Sequence, residues 1–272
     1  MIMSIIFFDV DGTIYDSGVP VYVRDVFAYL KQSSHILCLN TGRAKGIVPA
    51  SVLELGFNGM ITGTGSMVYF GDKLLFENYI PFNIIKKAYQ SFLKRNMAFC
   101  IETYDIMYES KRMSELKNLM LKKSGDRSQL EHLETDVINI REPVDSFDFS
   151  KNVIKISYLL THHEDDHLHH LLDDTCFILE EKINTEGYIY GEAVCKGSSK
   201  SRGAQIICNY LNIDKKDTIA FGDGMNDLDL IEWAGIGVAM GNSSDDVKSA
   251  ADFVCGDIAE DGIAAAIRSL GL

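Results

Sequence analysis

The chain has 272 residues, of which 46% are apolar and 24% charged, with only 4 prolines. That length suits one large α/β unit or two modest domains, and the composition excludes a disordered tail or a fibrous protein. The 26 basic and 39 acidic residues leave a formal charge of −13, a field that repels nucleic-acid phosphates, so no nucleic-acid partner is expected.

The N-terminal run to Phe8 is apolar, but Asp9 and Asp11 end it and no Lys or Arg precedes Arg24. It reads as a buried strand over 5–10, and neither a signal peptide nor a membrane span is expected. An amphipathic helix follows over 21–31, then a strand over 36–39, a helix over 44–55 stopped by Gly56, and a short strand at 60–61. Alternation of this kind opens a parallel α/β sheet. It resumes near the C-terminus with helix 201–211, strand 218–221, helix 227–233, strand 237–239 and helices 245–250 and 261–270.

The two ends together predict an α/β fold with one Rossmann-like parallel-sheet core, residues 1–81 and 188–272. The intervening residues 82–187 have strand signals at 98–102, 106–108 and 153–159 and a helix signal over 84–94, which predicts an inserted α+β domain. Within it the charged stretch 111–134, with Lys122, Lys123, Asp126 and Arg127, predicts exposed helices and a polar loop. The six cysteines, Cys38, Cys100, Cys176, Cys195, Cys208 and Cys255, lack any C-x-x-C spacing. Reduced thiols, no disulfide and a cytoplasmic location are expected.

Chemistry is concentrated at strand ends. The first strand runs into Asp9-Val10-Asp11-Gly12-Thr13, and in a parallel sheet the carboxyl end of a strand opens into the ligand crevice. The next ends in Asn40-Thr41-Gly42-Arg43, a hydroxyl, a glycine and a cation suited to an anion. A third ends in Gly222-Asp223-Gly224-Met225-Asn226-Asp227; counted from Asp223, Met225 at the third position and Leu228 at the sixth exclude an EF-hand loop. Each segment alone also suits an ordinary turn after a strand. Together, paired carboxylates at strand ends suit Mg²⁺, which takes a few protein oxygens and keeps its remaining positions for water or phosphate. Carboxylates converging on one crevice also call for a lysine, and Lys200, in Lys196-Gly197-Ser198-Ser199-Lys200-Ser201, is the candidate.

These four segments, in this order, resemble the four motifs of the haloacid dehalogenase superfamily of phosphatases. Val238-Ala239-Met240-Gly241-Asn242 and Asp261-Gly262-Ile263 are similar to its Cof-like branch, and the long insertion resembles that branch's cap. The resemblance implies that Asp9 is the nucleophile that takes the phosphoryl group and Asp11 the general acid/base. It implies that Thr41, Gly42, Arg43, Lys200 and Asn226 bind the phosphate or line the site with Asn242. It also implies Mg²⁺ held by Asp9, Asp223 and the backbone carbonyl of Asp11, with Asp227 in support. One departure is Thr62-Gly63-Thr64-Gly65-Ser66, where relatives often carry Asn-Gly-Ala.

The activity so implied is Mg²⁺-dependent hydrolysis of a small phosphorylated metabolite, a sugar phosphate or similar, through an aspartyl-phosphate. A phosphomutase using the same intermediate and a non-catalytic phospholigand-binding protein are the alternatives, and a monomer and a homodimer both fit. One further motif, His163-Glu164-Asp165-Asp166-His167, matches the H-E-x-x-H of zinc proteases. Thr161 and Glu164 form a capping box there, and Leu168, Leu171 and Leu172 an apolar helix face, so an ordinary solvated helix is expected.

Overall fold

The structure, a computed structural model, describes residues 4–124, 141–160, 170–172, 174–182 and 188–272. The chain divides into two compact units. The first comprises the residues up to Arg43, Val48–Glu77 and Ser199–Leu272. Its sheet has eight strands: β1 (Ile5–Phe8), β2 (Ile36–Asn40), β3 (Gly59–Thr62), β4 (Met67–Phe70), β5 (Lys73–Glu77), then β12 (Thr218–Gly222), β13 (Ile236–Ala239) and β14 (Phe253–Val254). Their spatial order is β14-β13-β12-β1-β2-β3-β4-β5. The six strands from β14 to β3 run parallel, and β4 and β5 add an antiparallel edge.

Parallel strands are covered on both faces, which is why β1 reads as an unbroken apolar run. All four of its residues are buried, and Phe8 stacks on Phe221 of β12 at 5.2 Å between ring centroids. From β1 the chain steps through β2 to β3 on one side, while β12 leads to β13 and β14 on the other. The order therefore reverses between β1 and β12, and an open α/β sheet presents its crevice at the carboxyl ends of such a pair. Helices α1 (Val21–Leu30), α2 (Ala50–Leu53), α5 (Lys200–Leu211), α6 (Leu228–Trp233), α7 (Asp245–Ala250) and α8 (Gly262–Ser269) belong to this unit.

The expected helix 44–55 is instead a 3₁₀ turn, Lys45–Ile47, followed by α2. Pro49 is the reason: it disfavours helical backbone at the residue before it and starts a new helix as N-cap. The β4–β5 hairpin adds to the expected strands, and Gly71-Asp72 between two strand-like runs is its turn signal.

The second unit comprises Ala44–Ile47 and Asn78–Ser198. Its strands are β6 (Ala98–Glu102), β7 (Met107–Glu109), β8 (Arg141–Pro143), β9 (Lys155–Leu160), β10 (Cys176–Lys182) and β11 (Ile189–Cys195), in the order β10-β11-β9-β6-β7-β8. All neighbours are antiparallel except β7 and β8. The unit ends at Ser198 and not at the expected residue 187, because β11 pairs with both β9 and β10 and so completes this sheet.

Helix α3 (Phe82–Lys94) lays Ile85, Ala88 and Phe92 into one side of this core. Helix α4 (Lys111–Ser124) was expected to be exposed, but Met113, Leu116 and Met120 pack with Ala98, Cys100 and Leu159. Lys117 is buried too, on Glu109 at 2.6 Å. The side chains of Lys122 and Lys123, the residues Asp126 and Arg127, and the histidine segment 161–169 lie outside the described residues. Among the described residues no helix is long and apolar enough to cross a membrane.

Candidate active site

Four backbone segments of the first unit bring the site together. Asp9 directly follows β1, its amide donating to Phe221 O at 3.0 Å, and Asp223 directly follows β12. Parallel pairing of Phe8 with Phe221 fixes those two strand ends side by side. Asp227 closes a short 3₁₀ turn, and its Oδ2 accepts from the amides of Asp223 at 3.2 Å and Gly224 at 3.1 Å. Lys200 is the first residue of α5, whose N-cap Ser199 accepts from Arg202 N at 3.2 Å.

Lys200 is fully buried, and its Nζ donates to Asp9 Oδ1 at 2.6 Å and to Asp227 Oδ1 at 2.5 Å. Asp9, Asp223 and Asp227 each offer a carboxylate oxygen within 4.8 Å of the others. Two glycines make this approach feasible. A Cβ on Gly12, whose φ is +73°, would stand 2.1 Å from Asp223 Oδ2, and one on Gly222 would stand 2.5 Å from Asp227 Cβ. Gly65, with φ of +85°, plays the same part for the lysine loop, since a Cβ there would meet Ser199 O at 2.0 Å. That glycine lies in the Thr62–Ser66 segment.

The cluster is out of charge balance. Burial, then Asp227 and Asp11, push the Asp9 carboxyl up to about 8 against the pull of Lys200. Burial, with Asp9 and Asp227 nearby, holds Asp223 well above the usual carboxylate range. Burial alone would discharge Lys200, but Asp227 and Asp9 outweigh it and raise its pKa, so the ammonium persists. Two buried carboxylates and the half-buried Asp223, gathered with one ammonium, are a donor set that fits a divalent cation with oxygen preference.

Around this centre, Thr13 Oγ1 donates to Asp223 Oδ1 at 3.2 Å, and Asn242 Nδ2 donates to Gly12 O at 2.9 Å and Asp223 Oδ2 at 3.2 Å. Asn40 Nδ2 donates to Lys200 O at 3.2 Å. Thr41 is buried, its Oγ1 accepting from Arg43 N at 3.1 Å, and Gly42 is half-buried in the same turn. Asn226 is half-buried in the 3₁₀ turn beside Asp227.

Arg43 and Asp11 face one another. The guanidinium grips the Asp11 carboxylate with Nε at 2.9 Å from Oδ2 and Nη2 at 2.7 Å from Oδ1, and stacks over Tyr15 at 5.6 Å. Thr13 and Asn40 sit within the motifs but carry no pattern of their own that marks them, and neither does Asp229, whose Oδ2 accepts from the Ser201 amide and hydroxyl.

A parallel sheet with carboxylates and a buried lysine gathered at its switch point is the frame of a hydrolase that works at strand ends. The chain matches the family model of haloacid dehalogenase-like hydrolases over residues 6–267 and belongs to that family, as a Cof-like phosphatase. It is 29% identical over 271 residues to YkrA, a provisionally named phosphatase of Bacillus subtilis (strain 168), covering 99% of this chain and 98% of that one. The solved structure of BT4131, a sugar phosphatase of subclass IIB, superposes with a TM-score of 0.79 at 27% identity and 99% coverage of both chains. A haloacid dehalogenase-like hydrolase from B. subtilis, 22% identical, has a TM-score of 0.80 over 98% of this chain and 100% of its own, and shows the shared fold.

Proposed function

We propose that the protein is a Mg²⁺-dependent phosphatase of the cytoplasm that hydrolyses a small phosphorylated metabolite, a sugar phosphate or similar. The observation that carries this reading is the Lys200 ammonium held between Asp9 and Asp227, with Asp223 beside them. Phosphate monoesters are among the slowest of all uncatalysed hydrolyses, so nucleophile, proton donor and cations must act together.

Asp9, Asp223 and the backbone carbonyl of Asp11 would hold the Mg²⁺, with Asp227 in support; when bound, the ion neutralises phosphate oxygens and the excess carboxylate charge. Asp9 attacks phosphorus in line, its oxygen forming a bond as the ester oxygen leaves, which gives an aspartyl-phosphate and divides the displacement into two steps. Lys200 keeps Asp9 oriented and offers its charge to the transferring group. Thr41, with Gly42, Arg43 and Asn226, lines the anion's side of the strand ends.

Asp11 protonates the leaving alkoxide and afterwards takes a proton from the attacking water. For that it must exchange its bidentate pairing with Arg43 for a position at the ester oxygen, so Arg43 acts as its holder between turnovers. The inserted segment, expected over 82–187, takes the role of the cap that selects the leaving group, in keeping with the subclass of BT4131.

The test is a panel of phosphorylated metabolites assayed for phosphate release with and without Mg²⁺, with Asp9→Asn as the blank. The reading requires Mg²⁺-dependent release by the native protein and none by the variant. Transfer of phosphate between isomers with no free phosphate would make it a mutase; tight binding with no turnover would make it a sensor.

A further inference from the structure

The second unit carries two cysteines in a relation that the site chemistry does not use. Cys176 opens β10 and Cys195 closes β11, and the antiparallel register sets them directly opposite one another. The adjoining pair, Thr175 and Lys196, is hydrogen-bonded, with Lys196 N donating to Thr175 O at 2.9 Å. Hydrogen-bonded and non-hydrogen-bonded pairs alternate along an antiparallel ladder, so Cys176 and Cys195 form a non-hydrogen-bonded pair.

Cα atoms in such a pair stand about 4.5 Å apart with side chains on one face, and a disulfide spans Cα separations of about 4.4–6.8 Å. Both side chains join the same apolar cluster, and both cysteines are free thiols. Cys176 is buried, whereas Cys195 is partly exposed. The two thiols thus have an entry point and a resolving partner without any movement of the strands.

We propose that Cys176 and Cys195 form a dithiol site that reacts with low-molecular-weight disulfides and closes to a reversible cross-strand bridge. Cys195, as the thiolate, attacks one sulfur of the small disulfide and displaces a thiolate, which takes up the proton that Cys195 released. Cys176 then loses its proton and attacks Cys195 Sγ, displacing the second small thiol. Two protein thiols become one disulfide, one small disulfide becomes two thiols, and two electrons pass to the reagent. The bridge ties β10 to the strand from which the chain runs through Lys196–Ser199 into α5. Burial raises both thiols, so closure is slow at neutral pH and quickens in alkali.

The experiment treats the reduced full-length protein with oxidised glutathione, then alkylates, digests without reductant and maps the peptides. The expected result is an intact mass lower by two hydrogens, a Cys176–Cys195 peptide link, and alkylation of these two thiols reduced about tenfold or more while the other four stay reactive or inert as before. Dithiothreitol restores both thiols. In Cys176→Ser a stable glutathione adduct stays on Cys195, and in Cys195→Ser neither bridge nor adduct forms. An unchanged mass, a link to any other cysteine, or a persistent adduct on Cys195 of the native protein overturns the proposal, and these readouts need neither variant to fold.

Discussion

Lys155 of the second unit and Lys200 of the first are each buried against two carboxylates, and they differ in how their charge is matched. Lys155 opens β9, opposite Glu102 in the register, with its Nζ 2.7 Å from Glu192 Oε1 and 3.4 Å from Glu102 Oε2. Its partners are held in turn, Glu102 by Ser157 Oγ at 2.9 Å and Glu192 by Tyr190 OH at 3.1 Å. Burial still raises Glu102, but Lys155 works against it, and the lysine stays charged because Glu102 and Glu192 outweigh its own burial. Lys200 instead bonds two of three carboxylates clustered beyond the ends of parallel strands, and two of the three remain raised despite it. A cross-strand ladder closes on itself, whereas the strand-end cluster leaves charge for something else to neutralise. Local charge rules broken in a well-packed fold mark a site of function.

The largest effect expected from this contrast is on turnover. Asp9→Asn removes the proposed nucleophile and should lower kcat by about 10⁴-fold or more, the scale seen when a covalent nucleophile is deleted, read as phosphate release with Mg²⁺ present. The same change removes a carboxylate that burial and like charges disfavour, so in EDTA at pH 9 it should raise the Tm. Lys155→Met should do the reverse. It strands Glu102 and Glu192 without their cation and should cost about 3–5 kcal/mol of stability, while kcat per folded molecule stays within about twofold of the parent. A Lys155→Met protein that is stable but inactive would erase the distinction between the two clusters.

The pH dependence sharpens it further. In the metal-free protein the folded state keeps the Asp9 proton up to about pH 8, while the unfolded chain loses it near the ordinary aspartate value of about 3.9. Between those limits the folded state binds more protons, so stability falls as pH rises; the contribution is complete below about pH 4 and lost through pH 8. Urea midpoints measured in EDTA should therefore decline across that window. Mg²⁺ should restore more stability at pH 8 than at pH 5, because it favours the ionised carboxylates. A flat EDTA profile would mean that the cluster is already balanced.

How far the sequence reveals this depends on the range of the interaction. Asp9, Asp11 and Asp223 are legible because an apolar run that stops at an acid is a local pattern, and the parallel sheet turns it into a shared edge. Lys200 is legible only through the company of the other motifs, since the residues beside it in sequence are small and polar. The pairing of Arg43 with Asp11 is not legible, because it joins residues 32 apart and Arg43 equally suits an anion. Nor is the burial of Lys117, which depends on Glu109, a carboxylate that Arg141 also holds. The β10–β11 pair escaped because Ile189–Cys195 carries Gly191 and Glu192 and lacks a strict alternation. Gly191 is needed there, since a Cβ would stand 2.2 Å from the Tyr158 ring.

The smallest expected effect tests whether Lys200 is placed by its helix or by its carboxylates. Ser199 caps α5 by accepting from Arg202 N, with Lys200 as the next residue. Ser199→Ala removes that bond and should cost about 1 kcal/mol of stability. Lys200 Nζ is pinned from the far end of its side chain by Asp9 and Asp227, and its backbone carbonyl by Asn40. Those three holds survive the substitution, so turnover should fall by less than about threefold, within ordinary mutational scatter. Asn40→Ala removes a different hold at the same residue. The double variant should therefore lose more activity than the two single losses multiplied, because each remaining anchor compensates for the other. Simple multiplication of the two losses would show that the cap on α5 and Asn40 act on the lysine independently, with no shared hold between them.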